Sequence, residues 1–146
     1  MAVPEKLAQI VDLFGQVPRN IKLEALLDYS RRLPPLPPEL AGASDRFERV
    51  VECQSPLFLH AEVAPDHEVS LYFDAPAEAP TTRGFAGILA EGLAGASAEQ
   101  ILDLPDDFYV NLGLEDVVSP LRMRGMGAMV FRIKRQVRDR LAEQSV

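Results

Sequence analysis

Residues 47–74 have the sequence FERVVECQSPLFLHAEVAPDHEVSLYFD, in which apolar and polar side chains alternate in three short runs. The runs cover residues 47–52, 57–63 and 69–74. Alternation with a period of two residues is typical of β-strands that bury one face. The turn-forming residues 64–67, APDH, join the second run to the third. This stretch therefore predicts a three-stranded antiparallel meander with one face against a core.

Helical periodicity precedes the meander. Residues 4–14 place apolar side chains at the spacing of one helical face, and Gly15 is expected to end that helix. Pro18 suits the first turn of a second helix. The residues expected to form its inner face are Leu23, Leu26 and Leu27. The proline-rich residues 33–38, LPPLPP, then favour a stiff connector; a polyproline-II ligand for a recognition domain is the alternative.

After the meander the chain is predicted to be mostly helical. Thr81 or Thr82 can cap a helix, and residues 97–100, SAEQ, form a capping box for another. A short helix is expected after Pro105, and the longest helix after Ser119. The apolar stripe of this last helix comprises Met126, Met129, Val130, Ile133, Val137 and Leu141.

The order of these elements predicts the fold class. Two helices, three strands and then three or four helices predict an α+β fold, with helices packed on one face of a small antiparallel sheet. Gly125 and Gly127 lie within the last helix, where glycine costs stability, and indicate the close approach of another backbone. We expect a single domain over residues 1–146, with its core at about residues 4–141.

Composition narrows the classes of function. A formal net charge of -7 argues against a nucleic-acid backbone as the main partner. One cysteine cannot form an internal disulfide, and the chain has neither a secretory signal nor an apolar run long enough to cross a membrane, so we expect a cytoplasmic protein. Residues 122–140 carry seven basic side chains and one acidic one. This run is either a solvated helix face or a docking surface for an acidic partner.

Several familiar catalytic and metal-binding patterns are missing. The chain has no glycine-rich phosphate loop. His60 and His67 have no second cysteine or matched spacing, so we expect no metal site. A Cys–His dyad with either histidine stays open.

Cys53 is the remaining candidate for chemistry. A free cysteine is often a buried apolar side chain, but this one follows a predicted strand and would be presented at the tip of the sheet. Backbone N–H groups, Gln54 and Ser55 can stabilise its thiolate, whereas the adjacent Glu52 raises the thiol pKa. We expect a cation from elsewhere to compensate, and the candidates are Arg83 and Arg122, each at a helix start.

Five short motifs occur in order along nearly the whole chain, from about Pro4 to Leu141. They are RLP at 32–34, VECQS at 51–55, RGF at 83–85, SPLR at 119–122 followed by Gly125, and AM at 128–129. A tripeptide such as CQS recurs by chance, but the set in this order and spacing is specific. On these residues the chain resembles the SufE family of sulfur-acceptor proteins, and the expected fold is SufE/NifU-like.

The resemblance implies a function. Cys53 stands at the position of the acceptor cysteine, and Arg122 at that of an arginine near the last helix. The implied activity is to take persulfide sulfur from a SufS-type, pyridoxal-phosphate-dependent cysteine desulfurase, to stimulate that enzyme, and to pass the sulfur to a SufBCD-type scaffold for iron–sulfur clusters. Such an acceptor holds no cofactor; the pyridoxal phosphate belongs to the partner.

Two other classes of function remain open. A non-catalytic module would dock on a desulfurase and regulate it without taking sulfur. A redox sensor would carry its single thiol to sulfenic acid under peroxide. The NifU-like scaffold proteins are excluded, because holding a nascent cluster needs several cysteines.

Overall fold

A computed structural model describes residues 3–145, apart from the side chain of Ser44. The helices are α1 (Glu5–Gln16), α2 (Arg19–Arg32), α3 (Pro80–Gly92), α4 (Ala98–Leu102) and α5 (Pro120–Gln144). The strands are β1 (Glu48–Arg49), β2 (Phe58–Val63) and β3 (Val69–Asp74). Short 3-10 helices lie at Ser44–Arg46, Phe108–Leu112 and Leu114–Asp116.

The three strands form one antiparallel sheet in the order β1-β2-β3. Leu59 pairs with Phe73 and Ala61 with Leu71, so the buried apolar side chains of β2 and β3 lie on the same face. The α+β fold with a small antiparallel meander is therefore confirmed.

The first strand is much shorter than the pattern predicted. Residues 47–52 were expected to be extended, yet only Glu48–Arg49 pair with β2. The N–H of Val50 donates to the carbonyl of Leu57 at 2.9 Å, and the N–H of Cys53 donates back to the carbonyl of Val50 at 3.1 Å. The chain therefore turns at residue 51, because the hydrogen bond from Cys53 to Val50 forms in place of the next hydrogen bond between the strands.

Polar side chains of helix α5 bind the backbone of β2 beyond the two residues that pair with β1. The N–H of Ala61 donates to Gln136 Oε1 at 2.8 Å, and its carbonyl accepts from Arg140 Nε at 3.2 Å. Gln144 Nε2 donates to the carbonyl of Val63 at 2.8 Å. The predicted apolar stripe is confirmed, with Met126, Met129, Val130, Ile133 and Val137 buried and Leu141 partly buried against the core. Helix α5 therefore joins the sheet through both its apolar face and its polar side chains.

Three local predictions about the helices were wrong. Helix α1 continues through Gly15 and ends at Gln16, where Val17 takes an extended conformation. On α2 the buried residues are Leu26, Tyr29 and Ser30, whereas Leu23 is 40% exposed. Helix α3 begins at Pro80, and Thr82 is buried within it instead of capping it. The capping box of α4 is confirmed.

Helices α2 and α3 pack at backbone distance. A Cβ added at Gly84 would lie 2.6 Å from the carbonyl oxygen of Leu26, and one at Gly87 would overlap the carbonyl of Tyr29. Only glycine allows this approach. Among the helices described in residues 3–145, none is long and apolar enough to span a bilayer.

Candidate functional site

The candidate site is built on the loop of residues 50–57, which joins β1 to β2. Its two ends, Val50 and Leu57, are fully buried and joined by the backbone hydrogen bond described above. Between them, Val51 is 68% exposed, and Glu52 and Gln54 are also exposed. The loop is therefore anchored at its base and open to solvent at its tip.

Cys53 does not point outward from this loop. The residue is only 7% exposed and belongs to the hydrophobic core. Its side chain lies against Gly125 on α5, where an added Cβ would be 2.9 Å from the Cys53 sulfur. The prediction of a presented thiol was wrong for the side chain, because the missing Cβ at Gly125 leaves room for the sulfur to turn inward.

This environment favours the neutral thiol. The pKa of Cys53 is raised to about 11. Burial is the largest cause, and the negative charge of Glu52 acts in the same direction, whereas the positive charge of Arg132 lowers the pKa. Across residues 3–145, no hydrogen bond to the sulfur is formed. Since the thiolate is the nucleophile, the resting loop holds Cys53 in its unreactive form.

Four charged side chains connect this region to α5, and we call them the loop–helix cluster: Glu48, Glu52, Arg132 and Arg135. Arg132 Nη2 donates to Glu52 at 2.6 Å, and its Nη1 donates to Glu48 at 3.1 Å. Arg135 also binds Glu48. The Arg132 side chain is 14% exposed and that of Glu52 is 46% exposed. A shielded cation thus holds a more exposed carboxylate next to the cysteine.

Both carboxylates of the cluster are held in the charged form. Partial burial alone would raise the pKa of Glu48, but hydrogen bonds from Gln136 and Arg135 and the two arginine charges lower it overall. The pKa of Glu52 is lowered by its own backbone N–H and then by Arg132. The ion pair between Glu52 and Arg132 therefore persists at neutral pH.

The cation that acts on Cys53 is Arg132, which sequence reasoning missed. Arg83 is used elsewhere, since its side chain donates to the carbonyls of Ala75 at 2.6 Å and Ser30 at 3.3 Å. That candidate was wrong. Arg122 lies one turn before Gly125, with its backbone N–H on the capping Ser119 and its side chain exposed. Its role at the thiolate stays a prediction.

Gln54 and Ser55 flank the cysteine on the loop. Gln54 is exposed and Ser55 is partly buried. Both were predicted to stabilise the thiolate that forms when Cys53 reacts, and this role stays a prediction.

The histidines and the basic helix are used for contacts within the fold. His60 Nε2 lies 3.1 Å from Glu62, and His67 Nδ1 lies 2.6 Å from Glu99. Within the described ranges no group of three or more His, Cys, Asp or Glu side chains is arranged to hold a metal ion. The basic residues of α5 that bind acidic side chains or carbonyls of the fold are Arg132, Lys134, Arg135 and Arg140. Much of the basic run is thus an internal contact surface rather than a solvated face.

The arrangement can do one kind of chemistry. A lone thiol on an anchored loop can form a single covalent bond to sulfur or another electrophile, provided that the loop presents it. Among the residues that the structure describes, no acid–base pair lies beside the sulfur, so we expect activation to come from movement of the loop or from a partner.

Comparison with known proteins places this chain in a family. The family model SufE, described as an Fe-S metabolism associated domain, matches residues 8–137. The chain is 51% identical over 138 residues to a SufE-like protein of Mycobacterium tuberculosis, covering 94% of this chain and 95% of the relative. The chain belongs to the SufE family, and this membership supports a role as a sulfur acceptor in Fe–S metabolism.

More distant relatives and a solved structure agree. A SufE-like protein of Arabidopsis thaliana, named as chloroplastic/mitochondrial, is 34% identical over 125 residues, which are 85% of this chain and 32% of that protein. A protein of Plasmodium vivax named as a cysteine desulfuration protein SufE is 26% identical over 123 residues, 82% of this chain and 48% of that one. The solution structure of a hypothetical protein from Thermus thermophilus superposes with a TM-score of 0.84 at 45% identity, covering 96% of this chain and 98% of the other.

Proposed function

We propose that this protein accepts sulfane sulfur from a SufS-type cysteine desulfurase onto Cys53, stimulates that enzyme, and passes the sulfur to a SufBCD-type cluster scaffold. The observation that carries the proposal is the placement of the single cysteine, in a chain of the SufE family, on a loop anchored at its base and open at its tip. The relative named for cysteine desulfuration supports the choice of donor.

The transfer step exchanges one sulfur–sulfur bond for another. The Cys53 thiolate attacks the outer sulfur of a cysteine persulfide on the desulfurase. A bond forms between Cys53 Sγ and that sulfur, the S–S bond of the donor breaks, and its electron pair leaves with the donor sulfur as a thiolate. The proton of Cys53 is released to solvent beforehand, and the transfer involves no net oxidation or reduction. Delivery to the scaffold repeats the exchange with Cys53 as the leaving thiolate.

The buried thiol explains how an acceptor avoids side reactions. With a pKa of about 11, Cys53 carries a thiolate fraction of about one in ten thousand at pH 7. It also contacts α5 instead of solvent. The loop must therefore move before transfer, which restricts reaction to a partner that can bind the exposed tip.

The same environment argues against the redox sensor. Cysteines that sense peroxide combine a low thiol pKa with solvent access. Cys53 has a raised pKa and is 7% exposed. The sensor is therefore the weaker candidate, and the non-catalytic docking module is the alternative that an experiment must separate.

Turnover of the desulfurase separates these two. Alanine release from L-cysteine is followed with wild-type protein, with Cys53→Ser and with Asp139→Asn, a matched surface change on α5. An acceptor predicts stimulation by wild type and Asp139→Asn and none by Cys53→Ser. Equal stimulation by Cys53→Ser would reject the acceptor and support the docking module.

A further inference from the structure

The tip of the cysteine loop is tied to the rest of the fold by one polar contact. In the part of the chain that the structure describes, residues 51–56 form a single hydrogen-bonded ion pair with a residue outside the loop, between Glu52 and Arg132. Glu52 is also the only charged residue of the loop and immediately precedes the cysteine. Movement of the loop tip away from α5 therefore stretches or breaks this pair.

Arg132 is held in place independently of the loop. Its Nη1 donates to Glu48 on β1, and its side chain is largely shielded from solvent. Its Nε is buried without a hydrogen-bond partner among the described residues. The arginine therefore stays in position when Glu52 leaves, and it can receive Glu52 again without reordering. Arg132 is therefore a fixed ion-pair partner for Glu52.

We propose that Arg132 is a positioning residue that latches the cysteine loop closed through Glu52, so that the strength of this ion pair sets how often Cys53 becomes available to react. The inference rests on the proposed function only for its biological use, since the opening of the loop is a property of the protein alone. Each turnover opens the latch, and closing it returns the sulfur to its place against Gly125.

The latch and simple electrostatics make opposite predictions for one variant. Glu52→Gln removes a negative charge that raises the thiol pKa, so both accounts predict faster alkylation. Arg132→Gln removes the positive charge that lowers the pKa. Electrostatics alone predicts slower alkylation of this variant, whereas loss of the latch predicts faster alkylation. The sign of the Arg132→Gln effect therefore identifies the mechanism.

The experiment measures alkylation of Cys53 by the neutral reagent iodoacetamide at fixed pH, with no desulfurase present. Because an ion pair with a half-exposed carboxylate contributes modestly to stability, we expect both Glu52→Gln and Arg132→Gln to react about two- to fivefold faster than wild type. Arg132→Lys should restore slow alkylation, since the charge is retained. Asp139→Asn, which removes an acidic partner of Arg135 at 3.8 Å but no loop contact, should react like wild type.

Two results would overturn the latch: slower alkylation of Arg132→Gln beside faster alkylation of Glu52→Gln, or wild-type rates in both. If Arg132→Gln fails to fold by circular dichroism, Glu52→Asp replaces it. The shorter side chain keeps the negative charge beside the thiol but falls short of the 2.6 Å contact with Arg132; the latch predicts faster alkylation than wild type, and an unchanged or slower rate would reject it. Sulfur loading by a desulfurase is scored separately, so a protein that alkylates as expected but takes no sulfur disproves the proposed function and leaves the latch intact.

Discussion

Gly125 leaves the space that the sulfur of Cys53 occupies: a Cβ added to this glycine would lie 2.9 Å from Sγ but 3.8 Å from the Cys53 Cα. The contact is therefore tight for the thiol and ordinary for the backbone. It joins the cysteine loop to the longest helix and keeps the thiol in the core.

Gly125→Ala tests this contact. The new methyl group should displace the sulfur without displacing the loop backbone, so alkylation of Cys53 should be several-fold faster than in wild type. The free energy of unfolding should change by less than about 1 kcal/mol, because the helix propensity gained on replacing glycine offsets the lost thiol packing.

Gly15→Ala is the matched control for that substitution. Gly15 also lies inside a helix, with nothing within 4 Å of the added Cβ. It should gain about 0.5–1 kcal/mol of stability from helix propensity and leave the alkylation rate unchanged. A Gly125→Ala protein that also alkylates at the wild-type rate would show that the contact does not restrain the thiol.

The raised pKa of Cys53 predicts a dependence of stability on pH. The pKa of the thiol rises from 9.0 in the unfolded chain to about 11 in the folded protein. Because the folded value is the higher one, the contribution is fully present below the unfolded pKa and is lost as pH rises through the folded pKa. Between pH 8 and pH 11 the loss should approach about 2 kcal/mol.

Denaturant unfolding of wild type and Cys53→Ala over this pH range measures the effect. The alanine variant should lack this component, so the difference between the two free energies of unfolding should change steadily from about pH 8.5 upward. A difference that is constant across the range would mean that the thiol is not perturbed.

Arg122 and Arg132 should affect different steps. The Arg122 side chain is exposed, so Arg122→Ala should leave alkylation of the resting protein unchanged while slowing sulfur uptake from a desulfurase, where the reacting thiolate needs a cation. Arg124→Ala, another exposed arginine on α5, is the control. Equal uptake by the two variants at the wild-type rate would remove Arg122 from the site.

The packing of α2 on α3 predicts a severe stability defect. Gly84→Ala would place a methyl group 2.6 Å from the carbonyl oxygen of Leu26, and a backbone atom cannot rotate away. We expect a loss of about 1–3 kcal/mol, as for other overpacked positions. Thermal unfolding should show it as a lower Tm, and a Tm equal to that of wild type would contradict this packing.

Local patterns predicted most of the fold. Strands β2 and β3 follow a period of two residues, and the stripe of α5 follows the helical period, because each buries one face. The pattern failed at residues 50–53. There, the apolar Val51 continues the alternation, but a hydrogen bond within the loop turns the chain, and that competition is not visible in side-chain periodicity.

The sequence pointed to Cys53, whose role as the nucleophile stays a prediction, but not to the residues that surround it. Gly125 and Gly127 were expected to face another backbone, but the atoms closest to them are side-chain atoms, the Cys53 sulfur at Gly125 and the Tyr109 hydroxyl at Gly127. The pairing of Glu52 with Arg132 joins residues 80 positions apart. Residues 122–140 carry seven basic side chains, and the sequence does not show which of them pairs with Glu52. The same pair resolves why a carboxylate can stand beside the cysteine, because its charge is held by an arginine.

The most direct test of the account is the intact mass of the protein after incubation with a cysteine desulfurase and L-cysteine, read with and without reductant. The acceptor role predicts that wild type gains the mass of one sulfur atom, that reductant removes it, and that Cys53→Ser gains none. An unchanged wild-type mass under conditions where the desulfurase turns over, or the same gain in Cys53→Ser, would contradict it.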